Sequence, residues 1–329
     1  MRNILKDYKI FDINPAKLRS KEFFKNTLEY RQSAFRQFRH TIKRPSQFRC
    51  PLCGSTKGKE FLEYKKYLLF DCQKCSLVSP NIDMAQLGSH EVYDDPVYIK
   101  DITREILDTY AYRKKTYAPE RLVYILQNTK IAKSKMRLLD VGCGPGYFVS
   151  HLKDQGIRYK GLELADFLVK ICKRKGLYVE NANLSKEPSR AYNVVTLFDV
   201  LEHLADPLKF FRMLNQKIVR GGFVLAYTPH IHSIAFHLMG GLQNTLAPFQ
   251  HFAFYDPKSL EYLARKTGFK VHLIDYYGLD VMDYFYLKEY EEPGNYHKKL
   301  KDFIPVMQAV IDKQQLSNHL RVFFRKVRD

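Results

Sequence analysis

The stretch of sequence that decides the fold reads Leu138-Leu-Asp140-Val-Gly142-Cys-Gly144-Pro-Gly146-Tyr-Phe148. An apolar run ends in an acidic residue, three glycines follow at alternate positions, and a helical pattern begins after them. Glycines at this spacing permit a turn so tight that the backbone lies against a ligand at the start of the helix. The stretch therefore predicts a strand, a ligand-binding loop and a helix of an α/β domain.

The spacing of the glycines separates two kinds of ligand. A dinucleotide-binding loop uses G-x-G-x-x-G to bring a pyrophosphate to the helix, whereas this loop is G-x-G-x-G. The acidic side chain of Asp140 at the strand end also suits a cationic ligand without phosphate better than a pyrophosphate.

Short apolar runs alternate with helical patterns on the carboxyl side of this loop. We predict strands at 138–141, 159–164, 178–179, 194–198, 223–227 and 270–274, and helices at 147–155, 165–175, 207–219 and 257–267. This alternation indicates a doubly wound, Rossmann-like α/β sheet with helices on both faces, which we assign to residues 131–280. A seventh strand is not placed, and residues 281–329 are predicted to form one or two basic amphipathic helices.

Two CxxC pairs form a metal signature on the amino side of this domain. Cys50 and Cys53 make the first pair, Cys72 and Cys75 the second, and 18 residues separate the pairs. Two such pairs complete a tetrahedral four-thiolate site without an open position, so residues 50–80 are predicted to be a zinc ribbon with structural Zn²⁺. The alternatives are a redox pair or unconnected thiols.

The remaining segments are predicted to be helical. Apolar residues recur at helical intervals from 17 to 39 among many basic groups, so residues 1–49 are assigned to a basic helical extension. Residues 81–130 are assigned to a helical linker, with helix from about 102 to 129 and a break at Tyr117-Ala-Pro119.

The formal net charge of +19 is concentrated at the two ends of the chain. Residues 1–49 hold 13 Lys and Arg against 4 Asp and Glu, and residues 298–329 hold 8 against 3. Basic ends suit contact with an anionic membrane, phosphate groups or RNA, although solvated faces of terminal helices explain them equally well. Because no apolar run is long enough for a signal peptide or a membrane span, we expect a cytoplasmic protein, with contact to the inner membrane face as an option.

The glycine stretch resembles the first motif of the class I S-adenosylmethionine-dependent methyltransferases, and the resemblance continues over residues 137–275. It implies S-adenosylmethionine as the cofactor. It also implies that Glu163 accepts hydrogen bonds from the ribose hydroxyls and that Asn183, where the family often has Asp, lies near the adenine. The cofactor-binding loop residues implied in this way are Asp140, Gly142, Gly144 and Gly146.

A second motif, from Asn193 to Pro207, resembles the fourth-strand motif of a subgroup that includes ubiquinone and sugar O-methyltransferases. The resemblance implies that Phe198 and Asp199 flank the methionine part of the cofactor, and that Glu202 and His203 lie beside its methyl group. Some members of the subgroup hold a divalent cation with acidic residues and this His. The alternative for Glu202 is a helix cap.

The third resemblance concerns the general base. In zinc-ribbon sugar methyltransferases a His before an aromatic segment faces the acceptor, and this position corresponds to His251 in Gln250-His-Phe252. A neutral imidazole there can take the proton of an attacking hydroxyl. His251 is therefore the first choice of base and His203 the second, and the alternative for both is a hydrogen-bonded core histidine.

The order of zinc ribbon, helical linker and class I domain resembles a bacterial group associated with sugar and surface-polysaccharide biosynthesis. We therefore expect O-methylation of a saccharide, either a nucleotide sugar or a lipid-linked glycan. One rival is an RNA methyltransferase, but the Asn/Asp-Pro-Pro-Tyr motif of amino-methylating enzymes is absent after the fourth strand. The other rival is a non-catalytic binding module, and the intact Asp140, glycines and Glu163 count against it.

Overall fold

The computed structural model describes Tyr8 and residues 14–18, 20–38, 47–82 and 103–329, and these fold into two compact units. The first unit takes its described residues from the chain up to Glu105 and from Pro229–Asp256 and Asp275–Leu320. The second unit comprises Ile106–Thr228, Pro257–Ile274 and Arg321–Asp329. Both units are therefore assembled from segments that are distant in sequence.

The helices and strands are, in chain order, α1 (Lys21–Phe38), β1 (Gly58–Tyr64), β2 (Tyr67–Cys72), β3 (Val78–Pro80), α2 (Thr103–Asp108), α3 (Tyr110–Tyr112), α4 (Ala118–Thr129), β4 (Arg137–Val141), α5 (Tyr147–Asp154), β5 (Arg158–Glu163), α6 (Asp166–Arg174), β6 (Val179–Asn181), β7 (Tyr192–Phe198), α7 (Pro207–Lys217), β8 (Ile218–Pro229), α8 (Ile234–Met239), α9 (Pro257–Lys266), β9 (Phe269–Tyr276), α10 (Asp280–Glu291), α11 (Tyr296–Lys299), α12 (Ile304–Lys313) and β10 (His319–Lys326).

A seven-stranded sheet with the order β6-β5-β4-β7-β8-β10-β9 carries the second unit. The first five of these strands pair in parallel, and β4 and β7 are buried over nearly their whole length, as expected for a sheet covered on both faces. From β4 the chain proceeds outward to β5 and β6 and then returns to β7 on the other side. This reversal makes the carboxyl ends of β4 and β7 the place where a doubly wound sheet binds its ligand. The predicted fold class is confirmed.

The carboxyl-terminal segment departs from the prediction. Residues 281–329 are predicted to be helical, and nearly all of α10 together with α11 and α12 lies there, but His319–Lys326 is the strand β10 between β8 and β9. Val322, Phe323 and Phe324 are all fully buried. A strand covered on both faces is apolar at successive positions, so it lacks the alternation that distinguishes a strand from a buried helix. The seven-stranded sheet therefore includes a strand from outside residues 131–280.

The helical segment before the sheet is interrupted near the predicted position. The chain forms a π-helical turn at Arg113–Tyr117 and then begins α4 at Ala118. Pro119 lies in the first turn of α4, where a residue without an N–H leaves no hydrogen bond unmade. The part of the linker at residues 83–102 lies outside the described residues.

The first unit contains the three-stranded antiparallel sheet β1-β2-β3 and the helix α1. The apolar face of α1 packs on this unit's aromatic core, because Phe35 makes edge contacts with the rings of Tyr64, Tyr67 and Phe249 at 5.5, 6.1 and 5.4 Å. The amphipathic helix predicted at 17–39 is thus present and has a partner. None of the described helices is both long and apolar enough to cross a membrane.

Candidate active site

The three glycines between β4 and α5 all have positive φ, +70° at Gly142, +57° at Gly144 and +81° at Gly146. A Cβ at Gly142 would lie 2.7 Å from the Val200 side chain, and one at Gly146 would lie 2.7 Å from Leu177. A Cβ at Gly144 would meet no heavy atom within 4 Å. The outer glycines therefore allow close packing, while the middle one presents bare backbone to open space, which is where a ligand fits.

Glu163, the last residue of β5, lies against this loop. One carboxylate oxygen accepts a hydrogen bond from Gly144 N at 2.9 Å, and the other accepts from Leu164 N and Ala165 N, both at 2.9 Å. A carboxylate offers about four acceptor sites, so it can still accept a bond from a hydroxyl. The structure thus brings together the loop and the acidic residue that the sequence assigned to one ligand.

Asp140 at the end of β4 is only 2% exposed, and the Thr196 hydroxyl donates to it at 2.6 Å. Burial raises the pKa of this carboxyl to about 7, although the Thr196 hydrogen bond and the Arg121 charge oppose the shift. Desolvation of a carboxylate is costly, so a cationic ligand beside it gains from neutralising the site.

Arg121 on α4 is a further residue near the predicted cofactor site that was not predicted from the sequence. This side chain is 3% exposed, and its guanidinium carbon lies 3.9 Å from the ring centroid of Phe198 and 5.0 Å from that of Tyr227. It also donates a hydrogen bond to the Tyr147 hydroxyl. The available signal was a basic residue on the apolar face of α4, where Ala118, Leu122 and Ile125 are buried. The site therefore holds a buried cation near the predicted cofactor residues.

Phe198 and Asp199 stand at the carboxyl end of β7. The Phe198 ring packs edge-on against Phe148 at 5.2 Å and Tyr227 at 4.8 Å. Asp199 has φ +57° and donates its N–H to the carbonyl of Tyr227 at 3.1 Å. A non-glycine residue held at positive φ is uncommon and concentrates at functional sites. Both residues lie at the strand end where the sequence placed them.

Asn183 lies after β6 and caps the short helical turn that follows, because its side chain accepts from Ser185 N at 3.0 Å. Its contact with an adenine ring stays a prediction. The side chain caps a helical turn, a role that the Asp often found at this position in the family can also fill.

Glu202 and His203 lie in the short helical turn Leu201–His203 that follows β7. Glu202 is 1% exposed and accepts a hydrogen bond from the Thr228 hydroxyl at 3.1 Å, while burial and the Asp199 charge raise its pKa well above the usual value. The cap of the next helix is Asp206, which accepts from Lys209 N at 2.9 Å. Glu202 is therefore a buried carboxyl and not the helix cap that the sequence offered as an alternative, and its role beside the cofactor stays a prediction.

His251 belongs to the first unit, whereas Glu202 and His203 belong to the second. Its Nδ1 lies 2.6 Å from the carbonyl oxygen of Thr245. A carbonyl only accepts, so Nδ1 carries the proton and Nε2 is the basic nitrogen of the neutral ring. The half-buried imidazole is therefore held in the tautomer that a general base requires.

The four cysteines of the predicted ribbon converge in the first unit. Their sulfur atoms all lie within 4.8 Å of one another, with Cys50 to Cys75 at 3.5 Å and Cys53 to Cys72 at 3.4 Å. A tetrahedral zinc site with Zn–S bonds near 2.3 Å places its sulfur atoms about 3.8 Å apart. The donor set and its geometry thus fit Zn²⁺.

The doubly wound sheet, its glycine loop and the carboxylate at the end of β5 define the class of the second unit, a class I S-adenosylmethionine-dependent methyltransferase domain. Residues 110–274, half of the chain, match the model of the methyltransferase domain family, and the chain belongs to this family. The class that the sequence predicted is confirmed.

Relatives of known name agree with this assignment. The chain is 31% identical over 136 residues to a ubiquinone biosynthesis O-methyltransferase of Aliivibrio fischeri, covering 38% of this chain and 58% of that protein. It is 30% identical over 170 residues to the protein of the same name in Nitrosospira multiformis, and the match covers 46% of this chain and 70% of that protein. A solved methyltransferase structure from Archaeoglobus fulgidus aligns with a TM-score of 0.45 and 18% identity, covering 66% of this chain and 99% of that one. The chain thus spans little more than half the length of the Aliivibrio relative.

Proposed function

We propose that this protein transfers a methyl group from S-adenosylmethionine to a hydroxyl oxygen of a saccharide, either a nucleotide sugar or a lipid-linked surface glycan. The observation that carries the proposal is the hydrogen bond from His251 Nδ1 to the Thr245 carbonyl, which leaves Nε2 as the base. Hydroxyl acceptors are also consistent with the two relatives, both named O-methyltransferases.

The residues at the sheet edge supply the cofactor site in this proposal. Gly144 presents bare backbone, Glu163 accepts from the ribose hydroxyls, and buried Asp140 favours a cation. The bound cofactor supplies a methyl group on a sulfonium, an excellent leaving group, so the protein's main work is to align the acceptor and remove one proton.

His251 removes that proton. Nε2 accepts the hydroxyl proton as the acceptor oxygen attacks the methyl carbon, and the Thr245 carbonyl stabilises the resulting imidazolium through Nδ1–H. His203 and Glu202 lie beside the methyl group in the family assignment, and burial raises the pKa of Glu202, which favours its neutral form.

Zn²⁺ bound by Cys50, Cys53, Cys72 and Cys75 has a structural role in this proposal. The four thiolates leave no position for a substrate, and the ion supplies stability to a small sheet. The basic ends of the chain provide contacts to phosphate groups of the acceptor or to an anionic membrane surface.

A second candidate acceptor is the phenolic hydroxyl of a quinone precursor. The name of the two relatives, ubiquinone biosynthesis O-methyltransferase, favours it. Saccharide and phenol share the attacking hydroxyl, so both use the same base.

The test is transfer of labelled methyl from S-adenosylmethionine to glycan, lipid, RNA and protein fractions of cells. We expect label in the glycan or lipid-linked glycan fraction, whereas label in RNA would overturn the proposal. His251→Asn keeps a donor toward the Thr245 carbonyl but offers no base, so it should lower kcat by about 10²- to 10⁴-fold with unchanged cofactor affinity. His237→Asn alters an exposed histidine of the same unit and is the matched control.

A further inference from the structure

Three consecutive polar residues of the first unit are buried just before His251. Gln243, Asn244 and Thr245 are 0, 9 and 5% exposed. Two of their side-chain atoms, Gln243 Nε2 and Asn244 Oδ1, are buried without a hydrogen-bond partner. Buried polar atoms are nearly always paired, and leaving one unpaired costs about 1–3 kcal/mol. Two such atoms side by side in sequence point to a ligand that pairs with them.

The orientation of the Gln243 amide is fixed by Thr245. Thr245 N and Thr245 Oγ1 both lie 2.5 Å from Gln243 Oε1. A backbone N–H can only donate, so the atom facing it is the oxygen, and the two hydrogens of Nε2 point away from Thr245. The carbonyl of Thr245 in turn accepts from His251 Nδ1. Gln243 and the proposed base are therefore both held by hydrogen bonds to the same residue, Thr245.

The two unpaired atoms have complementary roles. Gln243 Nε2 is a donor and needs an acceptor oxygen, whereas Asn244 Oδ1 is an acceptor and needs a donor. A hydroxyl group is both donor and acceptor, so the hydroxyls of one ligand can pair with both atoms. A hydrocarbon surface would leave both unpaired, and a site built for hydroxyls discriminates strongly against analogues that lack them.

We propose that Gln243 and Asn244 select the acceptor by binding a second hydroxyl of it, distinct from the one that is methylated, and that Gln243 couples this binding to the alignment of His251. The inference rests on the proposed role of His251 as the base. The ligand chemistry is a polyhydroxylated acceptor, and a saccharide and a catechol are its two sources.

Access to the two atoms requires a local movement. Both are shielded from solvent, and the Arg31 guanidinium of α1 donates to the carbonyl oxygens of Gly241 and Gln243 at 3.3 and 2.5 Å. The proposal requires that this segment moves away from α1 to admit an acceptor to Gln243 and Asn244. Return of the segment then surrounds the bound hydroxyl with desolvated partners, where hydrogen bonds discriminate best.

Asn244→Leu separates a ligand-binding role from a structural one. Leucine has a similar size and removes the unpaired acceptor, so the melting temperature of the free protein should stay unchanged or rise. The affinity for a polyhydroxylated acceptor should fall about 10- to 100-fold, because one hydrogen bond to it is lost. A clear fall in the melting temperature would show that Asn244 serves the fold and would overturn the proposal whether or not the protein transfers methyl groups.

Gln243→Met tests the coupling to His251. This variant loses the bonds from Thr245 as well as the free donor, so it should weaken acceptor binding and also change the pH profile of kcat, which Asn244→Leu should leave unchanged. Gln250→Met is the matched control, because Gln250 is a buried glutamine of the same segment whose amide already donates to the Tyr30 hydroxyl. It should leave the acceptor preference as it is in the wild type.

The preference for polyhydroxylated over single-hydroxyl acceptors is measured by calorimetry at millimolar concentrations of the probes, with S-adenosylhomocysteine present. Methyl glucoside is compared with cyclohexanol, and catechol with phenol, so that the two arms distinguish a sugar from an aromatic diol. The wild type should bind at least one polyhydroxylated probe about tenfold or more tightly than its single-hydroxyl partner. Equal binding within both pairs, binding of none of the probes, or a preference that survives Asn244→Leu would overturn the proposal.

Discussion

At the scale of single residues, the second unit places opposite charges in its interior. Asp140 and Arg121 are 2 and 3% exposed, and the Arg121 charge lowers the pKa of Asp140 by less than burial raises it. A buried ionised group is costly unless it is paired, so the charge state of Asp140 depends on what lies beside it. A cofactor that carries positive charge is the ligand such a site favours.

The raised pKa of Asp140 predicts a pH dependence of stability. The folded pKa of about 7 exceeds the ordinary value of 3.8, so between these pH values the folded protein binds more protons than the unfolded chain. The free energy of unfolding of the cofactor-free protein therefore falls as pH rises from 4 to 7, by on the order of a few kcal/mol. Asp140→Asn should remove this fall.

Urea unfolding at pH 5 and pH 8, without cofactor, measures this effect. The variant should gain stability relative to the wild type on going from pH 5 to pH 8, and it should bind S-adenosylmethionine more weakly at pH 8. A constant difference between variant and wild type at the two pH values would contradict the burial argument.

At the scale of elements, β1 and β2 differ in how much they bury. The β1 residues are mostly exposed, whereas β2 and β3 are largely buried. The edge strand β1 buries little apolar surface, so the four-cysteine cluster is expected to stabilise this part of the sheet through a metal.

Removal of the metal is predicted to unfold this sheet locally. Cys72→Ser, or treatment with a strong zinc chelator, should abolish zinc binding and increase amide hydrogen exchange of residues 58–80. Cofactor binding by the second unit should remain. Metal analysis should find about one zinc per chain in the wild type and in the control Cys172→Ser, whose thiol lies outside the cluster. Full protection of β1–β3 in a zinc-free protein would contradict this account.

Prediction from sequence succeeded best for elements that carry their own local signals. The glycine loop, Glu163 and the two CxxC pairs depend on short-range patterns, and the structure brings the members of each set together. Arg121 was missed because its role comes from the aromatic rings around it, which come from three different elements. The sequence left open whether Glu202 is a site residue or a helix cap. Only the structure excluded the cap, because Asp206 caps α7.

At the scale of the whole molecule, the carboxyl-terminal strand β10 is inserted between β8 and β9 in a sheet whose first strand begins at residue 137. Phe323 of β10 is fully buried and packs near the rings of Tyr124 and Phe223, at centroid distances of 5.4 and 6.3 Å. Residues 321–324 of β10 are therefore part of the core of the second unit.

Phe323→Asp is predicted to unfold the second unit. An unpaired charge in a core of aromatic rings costs more than about 4 kcal/mol, which is a large part of the stability of a domain. Thermal unfolding and S-adenosylmethionine binding should both show the loss, while Val327→Asp, at a 39% exposed position one residue after β10, should change neither by much. A Phe323→Asp protein that melts within a few degrees of the wild type would contradict the placement of β10.

The sequence by itself determined the class of the second unit, the cofactor loop and the metal-ligand set, because each is encoded by neighbours within a few residues and by the periods of helix and strand. Only the tertiary structure decided that residues 319–326 form the strand between β8 and β9, that Arg121 is buried among aromatic rings, and that Thr245 fixes the tautomer of His251. These features depend on contacts between groups far apart in the chain or on the direction of a single carbonyl, and neither leaves a periodic trace in the sequence.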